Sequence, residues 1–431
     1  MKGIKKLMTM AVILSLGFGA YQYFHDLIGP ELSFSPAEGF ITRSTELQLE
    51  LNDKSGLKNV TVVATQGKNT FTLLNKEYPL GITRIHEKIE LDPMLQDGPL
   101  EVNIVATDRA YYHFGKGNTT TETYQLERDT RAPMLSVTSR AHNLNHGGAG
   151  LVVYTSSEPL ETSGIRIEER FFPGYAQADG TYLCLFAFPY DATPDSIPRL
   201  EGTDAAGNIG TGGFYYHLNP RRFVTDTINI DDRFLNSKMP QFKYMFPATQ
   251  TPLEIFLKVN RDLRPQNRAW LQEVSVNTHT APTWSAAFIR QPNTATRATF
   301  GDKRKYIYNG KVIDTQTHLG VDLASIAQDN ILASNAGTVV YTDFMGIYGN
   351  CIIIDHGLGL QSMYAHLSSI NVQVGEDVER GRIIGRSGAT GLAGGDHLHF
   401  GIIISGTPVN PIEWWDQNWV KNNFTDKLPK P

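Results

Sequence analysis

The chain has 431 residues, of which 41% are hydrophobic and 19% charged, with a formal net charge of -5, 39 glycines and 22 prolines. That length exceeds one ordinary core and implies several domains, and the composition is that of a folded chain rather than a disordered one. The acidic balance leaves no basic footprint and argues against nucleic acid as a partner, while frequent Gly, Pro, Thr and Asn with recurring alternation favour β structure.

At the N-terminus, Lys2, Lys5 and Lys6 precede an apolar run over residues 7–24. A basic region followed by such a run is an export-type segment, near the lower limit for spanning a bilayer. Gly17-Phe18-Gly19 offers only a weak cleavage site, and Tyr21, Tyr23 and Phe24 follow like an interfacial belt. Residues 1–29 are therefore expected to be an uncleaved anchor in the inner membrane rather than a cleaved signal. The N-terminus would then be cytoplasmic and the bulk of the chain outside, in the cell envelope, periplasmic in a Gram-negative cell.

Two similar stretches follow. In "STELQLELNDKSGLKNVTVVA", Leu47, Leu49 and Leu51 alternate with polar residues, a turn falls at 53–56, and Val60 and Val62 resume the alternation. This predicts a hairpin of half-buried strands. "ATDRA" and "GTDAAGN" occupy corresponding places, each between strand-like runs. The spacing predicts two β-sandwich modules, over residues 30–130 and 131–225, near the size of immunoglobulin domains. "TDAAGN" resembles the late turn of bacterial immunoglobulin-like repeats, modules that act more often as spacers or binding surfaces than as enzymes. Cys184 and Cys351 lie far apart and read as two buried free thiols rather than a disulfide, and they cannot build a cysteine-rich zinc site.

Residues 226–298 read as a short helical connector and linker. In "TPLEIFLKVNRDLR", Thr251 is the expected N-cap, Pro252 the first helical residue and Glu254 the capping-box partner. Leu253, Phe256, Leu257 and Leu263 recur at helical spacing, Pro265 is expected to end or kink the helix, and residues 268–274 continue as a short second one. No histidine, cysteine or acidic motif here looks built to reach a metal, so the connector is expected to pack as a spacer.

The last third carries the chemistry. "GGDHLHFGI" places His397 and His399 two apart; in a strand both point to one face, with Leu398 turned to the core. "THLGVDLAS" adds His318 and Asp322, with Gly320 disfavouring a regular helix, so a loop entering a strand over 321–324 is expected. Imidazole nitrogen and carboxylate oxygen suit zinc, and a catalytic site uses three protein ligands plus water. His318, Asp322 and one histidine of the pair supply that set. The other histidine, and His366 in "MYAHLSS", remain free to act on water or substrate.

The segments "HLGVDLA", "ASNAGTVVY", "YGNCIIIDHGLGL", "YAHLSSINVQVGEDVERGRIIGRSGATG" and "HLHFGI" occur in that order. Together they closely resemble the lysostaphin-type (LytM-type) zinc peptidases of family M23. The resemblance implies a compact antiparallel β peptidase domain over residues 299–417, followed by a tail at 418–431. It implies one zinc ion held by His318, Asp322 and His399, with His366 and His397 as the catalytic histidines. It also implies hydrolysis of the peptide cross-links of bacterial peptidoglycan. Two positions stand apart. Many family members have proline where this chain has Asp396, which is read as a turn residue without a role. His356 aligns outside the catalytic set and is read as a packing residue. The fold expected overall is mainly β. A catalytically silent regulator that activates other wall hydrolases, or a wall-binding scaffold, are the alternative functions; the complete set of ligands and catalytic histidines argues against both.

Overall fold

Lysines followed by an unbroken apolar run give the helix Lys2–Phe24. Its apolar side chains, Ile4, Leu7, Leu14 and Phe18 among them, are exposed, and the stretch Ile4–Phe24 is long and apolar enough to cross a membrane. The structure is a computed structural model that describes residues 2–428; Met1 and residues 429–431 of the expected tail lie outside the described residues. The rest of the protein is mainly β, as expected, and its backbone divides into two units. One comprises Met1–Ala132 with Asp204–Asn208, the other Pro133–Thr203 with Ile209–Pro431.

In the first unit, Leu47–Asn52 shows the strict in-out alternation that its sequence predicts. The expected hairpin does not form. Leu47–Asn52 pairs with Glu31–Ser35 and Arg84–Ile89, whereas Leu57–Gln66 pairs with Asn69–Glu77 and Gly98–Asp108 in a separate five-stranded sheet. The turn at 53–56 thus carries the chain across a sandwich. Alternation specifies which face a strand buries, not which strand lies beside it. Leu47, Leu49 and Leu51 meet Val60, Val62, Val102 and Ile104 in the shared core. The two recurring turns share one device. Asp108 accepts from the backbone and side-chain nitrogens of Asn118, and Asp204 does the same with Asn208.

The second unit begins with two four-stranded sheets, the first built on Ala149–Ser156 and Tyr182–Ala187, the second on Thr162–Ile167 and Arg199–Thr203. Cys184 and Cys351 are buried free thiols, as expected. An eight-stranded sheet follows, in which Val321–Ala324, Leu398–Ile404, Leu360–Leu367 and Asn350–Asp355 lie side by side. Both faces of its middle strands are buried, so alternation divides their residues between two cores. Leu398, Phe400, Ile402 and Ile404 pack on one side with Ile352 and Ile354. On the other, Ile403, Met363, Ala365, Cys351 and Ile353 pack against Ile255, Phe256, Leu263 and Leu271 of the connector.

The connector helix begins at Pro252 under the expected capping box of Thr251 and Glu254. It does not end at Pro265. A π-helical turn, Val259–Leu263, leads directly into the helix Arg264–Ser275. The Arg264 N–H reaches back five residues to the Val259 carbonyl. The widened turn accommodates the ring and missing donor of Pro265 without a break.

Candidate metal centre

Strand parity places the site. His397, His399 and Ile403 share a face, and Ile403 belongs to the core that the connector covers. Asp322 lies directly opposite His399 in the antiparallel ladder, with Leu323 opposite Leu398. Leu398 is buried in the opposite core, as expected. His318 arrives from the loop before the strand Val321–Ala324, where the sequence predicts a strand.

Three of these side chains converge. His318 Nε2 lies 2.9 Å from Asp322 Oδ1 and 3.0 Å from His399 Nδ1, and His399 Nδ1 lies 2.8 Å from the same Asp322 oxygen. The His318 Nδ1–H donates to Thr299 O at 2.9 Å, which leaves a lone pair on Nε2. A nitrogen lone pair and a carboxylate oxygen thus share at most the one proton that His399 Nδ1 could carry. Donors on a tetrahedral ion with ~2.0 Å bonds stand about 3.3 Å apart, so the triangle is slightly tighter than a filled site and fits a divalent cation. His399 Nε2 is buried with no hydrogen-bond partner. It rests against Gly320, where a Cβ would stand 2.5 Å from it. The glycine in "HLGVD" is required by that ring.

The two remaining histidines flank the triangle. On strict alternation His366 would face away from it, since Tyr364, two residues earlier, packs in the opposite core. Its left-handed backbone, φ 64°, breaks the alternation, at a cost of about 1–2 kcal/mol for a non-glycine residue. The ring then lies 4.9 Å from that of His397 and 5.7 Å from that of His399, centroid to centroid. The His366 Nδ1–H donates to Thr390 O at 2.9 Å and the His397 Nδ1–H to Gly395 O at 2.8 Å. Both histidines therefore present Nε2 to the site, and that of His397 lies 3.6 Å from Asp322 Oδ1.

The electrostatics follow from burial and from one carboxylate among imidazoles. Burial pushes Asp322 upward, but the imidazoles of His318, His397 and His399 around it outweigh that and hold the carboxyl well below its ordinary range. Burial drives His399 down to about 4. His366 lies well below its ordinary value, through burial and then the charges of His397 and His399. Burial also acts downward on His397, but the hydrogen bond and charge of Asp322 prevail and raise it.

Several further residues contribute to the site without a signal in the sequence. Arg304 donates to Asp322 Oδ2 at 2.9 Å, leaving Oδ1 for the triangle. The connector is more than a spacer: Ile230, Phe234, Phe256 and Arg264 line the groove over the site, a cavity of about 390 Å³. Asp396 is not an idle turn residue. It accepts from Ser387 Oγ at 2.6 Å and from Gln328 N at 3.1 Å, fixing the loop before the histidine pair. His356 is a packing residue as expected, tied to Ala336 O and Ser362 Oγ.

A buried His-Asp-His triangle with two histidines beside it, on an antiparallel sheet, could hold a metal ion. Comparison with known proteins places it: residues 316–411 match peptidase family M23, so the chain carries an M23 domain near its C-terminus. Over 95 residues it is 39% identical to the DD-carboxypeptidase/endopeptidase Mpg of Neisseria meningitidis serogroup B, a match covering 22% of each chain. Over 96 residues it is 41% identical to the peptidoglycan DD-endopeptidase ShyA of Vibrio cholerae, again 22% of each. The similarity thus spans about a fifth of these relatives. The lysostaphin catalytic domain of Staphylococcus simulans is 30% identical, with 28% of this chain and 92% of that one covered and a TM-score of 0.25.

Proposed function

We propose that this protein is a zinc-dependent endopeptidase that hydrolyses the peptide cross-links of bacterial peptidoglycan. The observation that carries the reading is the convergence of His318, Asp322 and His399 beside His366 and His397 in one groove of an M23 domain. The names of the relatives Mpg and ShyA support the substrate class.

His318 Nε2, Asp322 Oδ1 and His399 Nδ1 would hold one zinc ion. Zinc bound there supplies Lewis-acid polarisation of a peptide carbonyl and activation of water. Arg304 steadies the carboxylate through its second oxygen. His366 and His397, each with Nδ1 committed to a backbone carbonyl, offer Nε2 toward the groove. One accepts the proton of the attacking water, and the other donates to the developing oxyanion or to the leaving amine. The helix Lys2–Phe24 would anchor the chain in the cytoplasmic membrane with the peptidase outside. Residues 30–130 and 131–225 would form immunoglobulin-like modules, 226–298 the connector and 299–417 the peptidase domain.

Digestion of purified peptidoglycan, with mass spectrometry of the fragments, tests this reading. Cross-links should be cut by the zinc-loaded protein and spared after chelation. Intact cross-links in the presence of folded, zinc-loaded protein would overturn it.

A further inference from the structure

The groove carries a guanidinium that the metal triangle does not use. Arg264 opens the helix Arg264–Ser275, directly after the π-helical turn, and lines the groove together with Arg304, His366 and His397. Its Nε and Nη2 both donate to Asn260 Oδ1, at 3.3 and 2.9 Å. Asn260 is buried within the π-turn and is itself neutral. Among the described residues no carboxylate stands within ion-pair distance of Arg264, unlike Arg304, which is paired with Asp322. The other carboxylates of the groove are committed: Asp322 to the triangle and Arg304, Asp231 to capping the helix Asp232–Lys238. A guanidinium has five N–H donors, and two of those of Arg264 are engaged by Asn260. Its positive charge is therefore uncompensated, in a chain of net charge -5, beside a site that gains two further positive charges when a divalent ion binds.

We propose that Arg264 is a specificity residue that receives a carboxylate of the substrate peptide, close to the bond to be cut. The inference rests on the proposed peptidase function and deepens it. Nε and Nη2 turn to Asn260, so the free edge of the guanidinium belongs to the ligand, and a planar fork suits a carboxylate. Asn260 acts as a positioning residue, holding the guanidinium in one orientation. The same chemistry is offered by an α-carboxylate at a peptide terminus and by a side-chain carboxylate next to the scissile bond.

The test uses the full chain and matched peptides bearing both carboxylates, or an amide in place of one or the other. Binding to the metal-free protein is followed by calorimetry and cleavage by the zinc-loaded protein by chromatography. For wild type, amidation at the recognised position should lower affinity and kcat/KM by on the order of ten- to hundredfold, the worth of one charge-assisted pair. The position that responds identifies which carboxylate is received. In Arg264→Leu the acid and the amide should become equivalent, with zinc content unchanged, and Arg264→Lys should restore part of the preference. Equal wild-type binding of acid and amide at both positions would overturn the proposal without recourse to any variant. So would an acid preference that survives in folded Arg264→Leu. Because binding is read without the metal, a chain that cuts no peptide at all refutes the peptidase reading separately from this one.

Discussion

Gly320→Ala is a small change that bears directly on the seat of His399. The new Cβ would stand 2.5 Å from His399 Nε2, 2.6 Å from Cε1 and 2.7 Å from Phe400 O. The carbonyl belongs to a residue paired with Val321 in the central ladder and cannot retreat, so the ring must. Restoring an ordinary contact of about 3.4 Å requires the imidazole to move by roughly 0.9 Å, whereas metal-ligand distances tolerate about ±0.2 Å. His399 Nδ1 would thus leave the triangle it forms with His318 and Asp322. Overpacking costs about 1–3 kcal/mol of stability. Zinc affinity should fall by at least the 10–100-fold typical of losing even an outer-shell support. Competition against a chromophoric chelator reads the affinity, and melting with and without chelator separates it from folding. A variant that keeps wild-type zinc affinity within about threefold would refute the argument that this glycine exists to seat the ring.

Asp322→Ala removes the anionic donor; elemental analysis should find zinc lost while far-UV circular dichroism retains the β signal. His366→Ala and His397→Ala should each keep zinc yet lower turnover by ~10²–10⁴-fold, as expected for general acid-base groups; near-wild-type turnover in both would mean that their roles are misassigned. Glu413 is buried, accepts from Asn145 Nδ2 and Ala149 N, and is pushed by burial from 4.5 to about 7. Its folded carboxyl holds a proton more tightly than the unfolded one, so the contribution of Glu413 to stability is present in full below pH 4.5 and falls by about 3 kcal/mol as the pH rises to about 7. Between pH 4.5 and 7 the denaturation midpoint of Glu413→Gln should fall less, or rise more, than that of wild type, and identical pH profiles would refute the assignment. Gln241→Ala should slow turnover severalfold at unchanged zinc content, measured by steady-state kinetics, because it loosens the loop that tethers His366.

The grouping of His318 and Asp322 with one histidine of the pair was legible from residue types and spacing, whereas the choice of His399 over His397 came from the resemblance to family M23. Period-2 alternation puts His397 and His399 on one face, and the ladder sets Asp322 opposite His399. What was illegible depends on long-range pairing or on local departures from regular geometry. The strand partners of Leu47–Asn52 follow from a crossing between sheets that alternation does not encode. The inward turn of His366 needs a left-handed residue inside a strand, which its sequence neighbours do not signal. Arg264 carried no signal of its own: Pro265 predicts an end or a kink, and instead a π-turn lets the helix run on, with the guanidinium in the groove.

The connector reaches His366 and His397 mechanically as well as by lining their groove. The backbone carbonyls that fix the His366 and His397 tautomers, Thr390 O and Gly395 O, belong to one loop. Connector side chains grip that loop beside Thr390. Lys238 Nζ donates to Ala389 O at 2.7 Å, Gln241 Nε2 donates to Gly391 O at 2.8 Å, and Gln241 Oε1 accepts from Gly391 N at 3.2 Å. Met239 and Phe242, on the same turn, are anchored in the core beneath the sheet. An imidazole that must transfer a proton needs its angle fixed, and a tether on a free loop would fix it poorly. The segment that looks like a spacer in sequence therefore sets the geometry of a group more than a hundred residues away. A peptidase domain cut loose at residue 299 would lose the wall of its groove and the hold on His366 together.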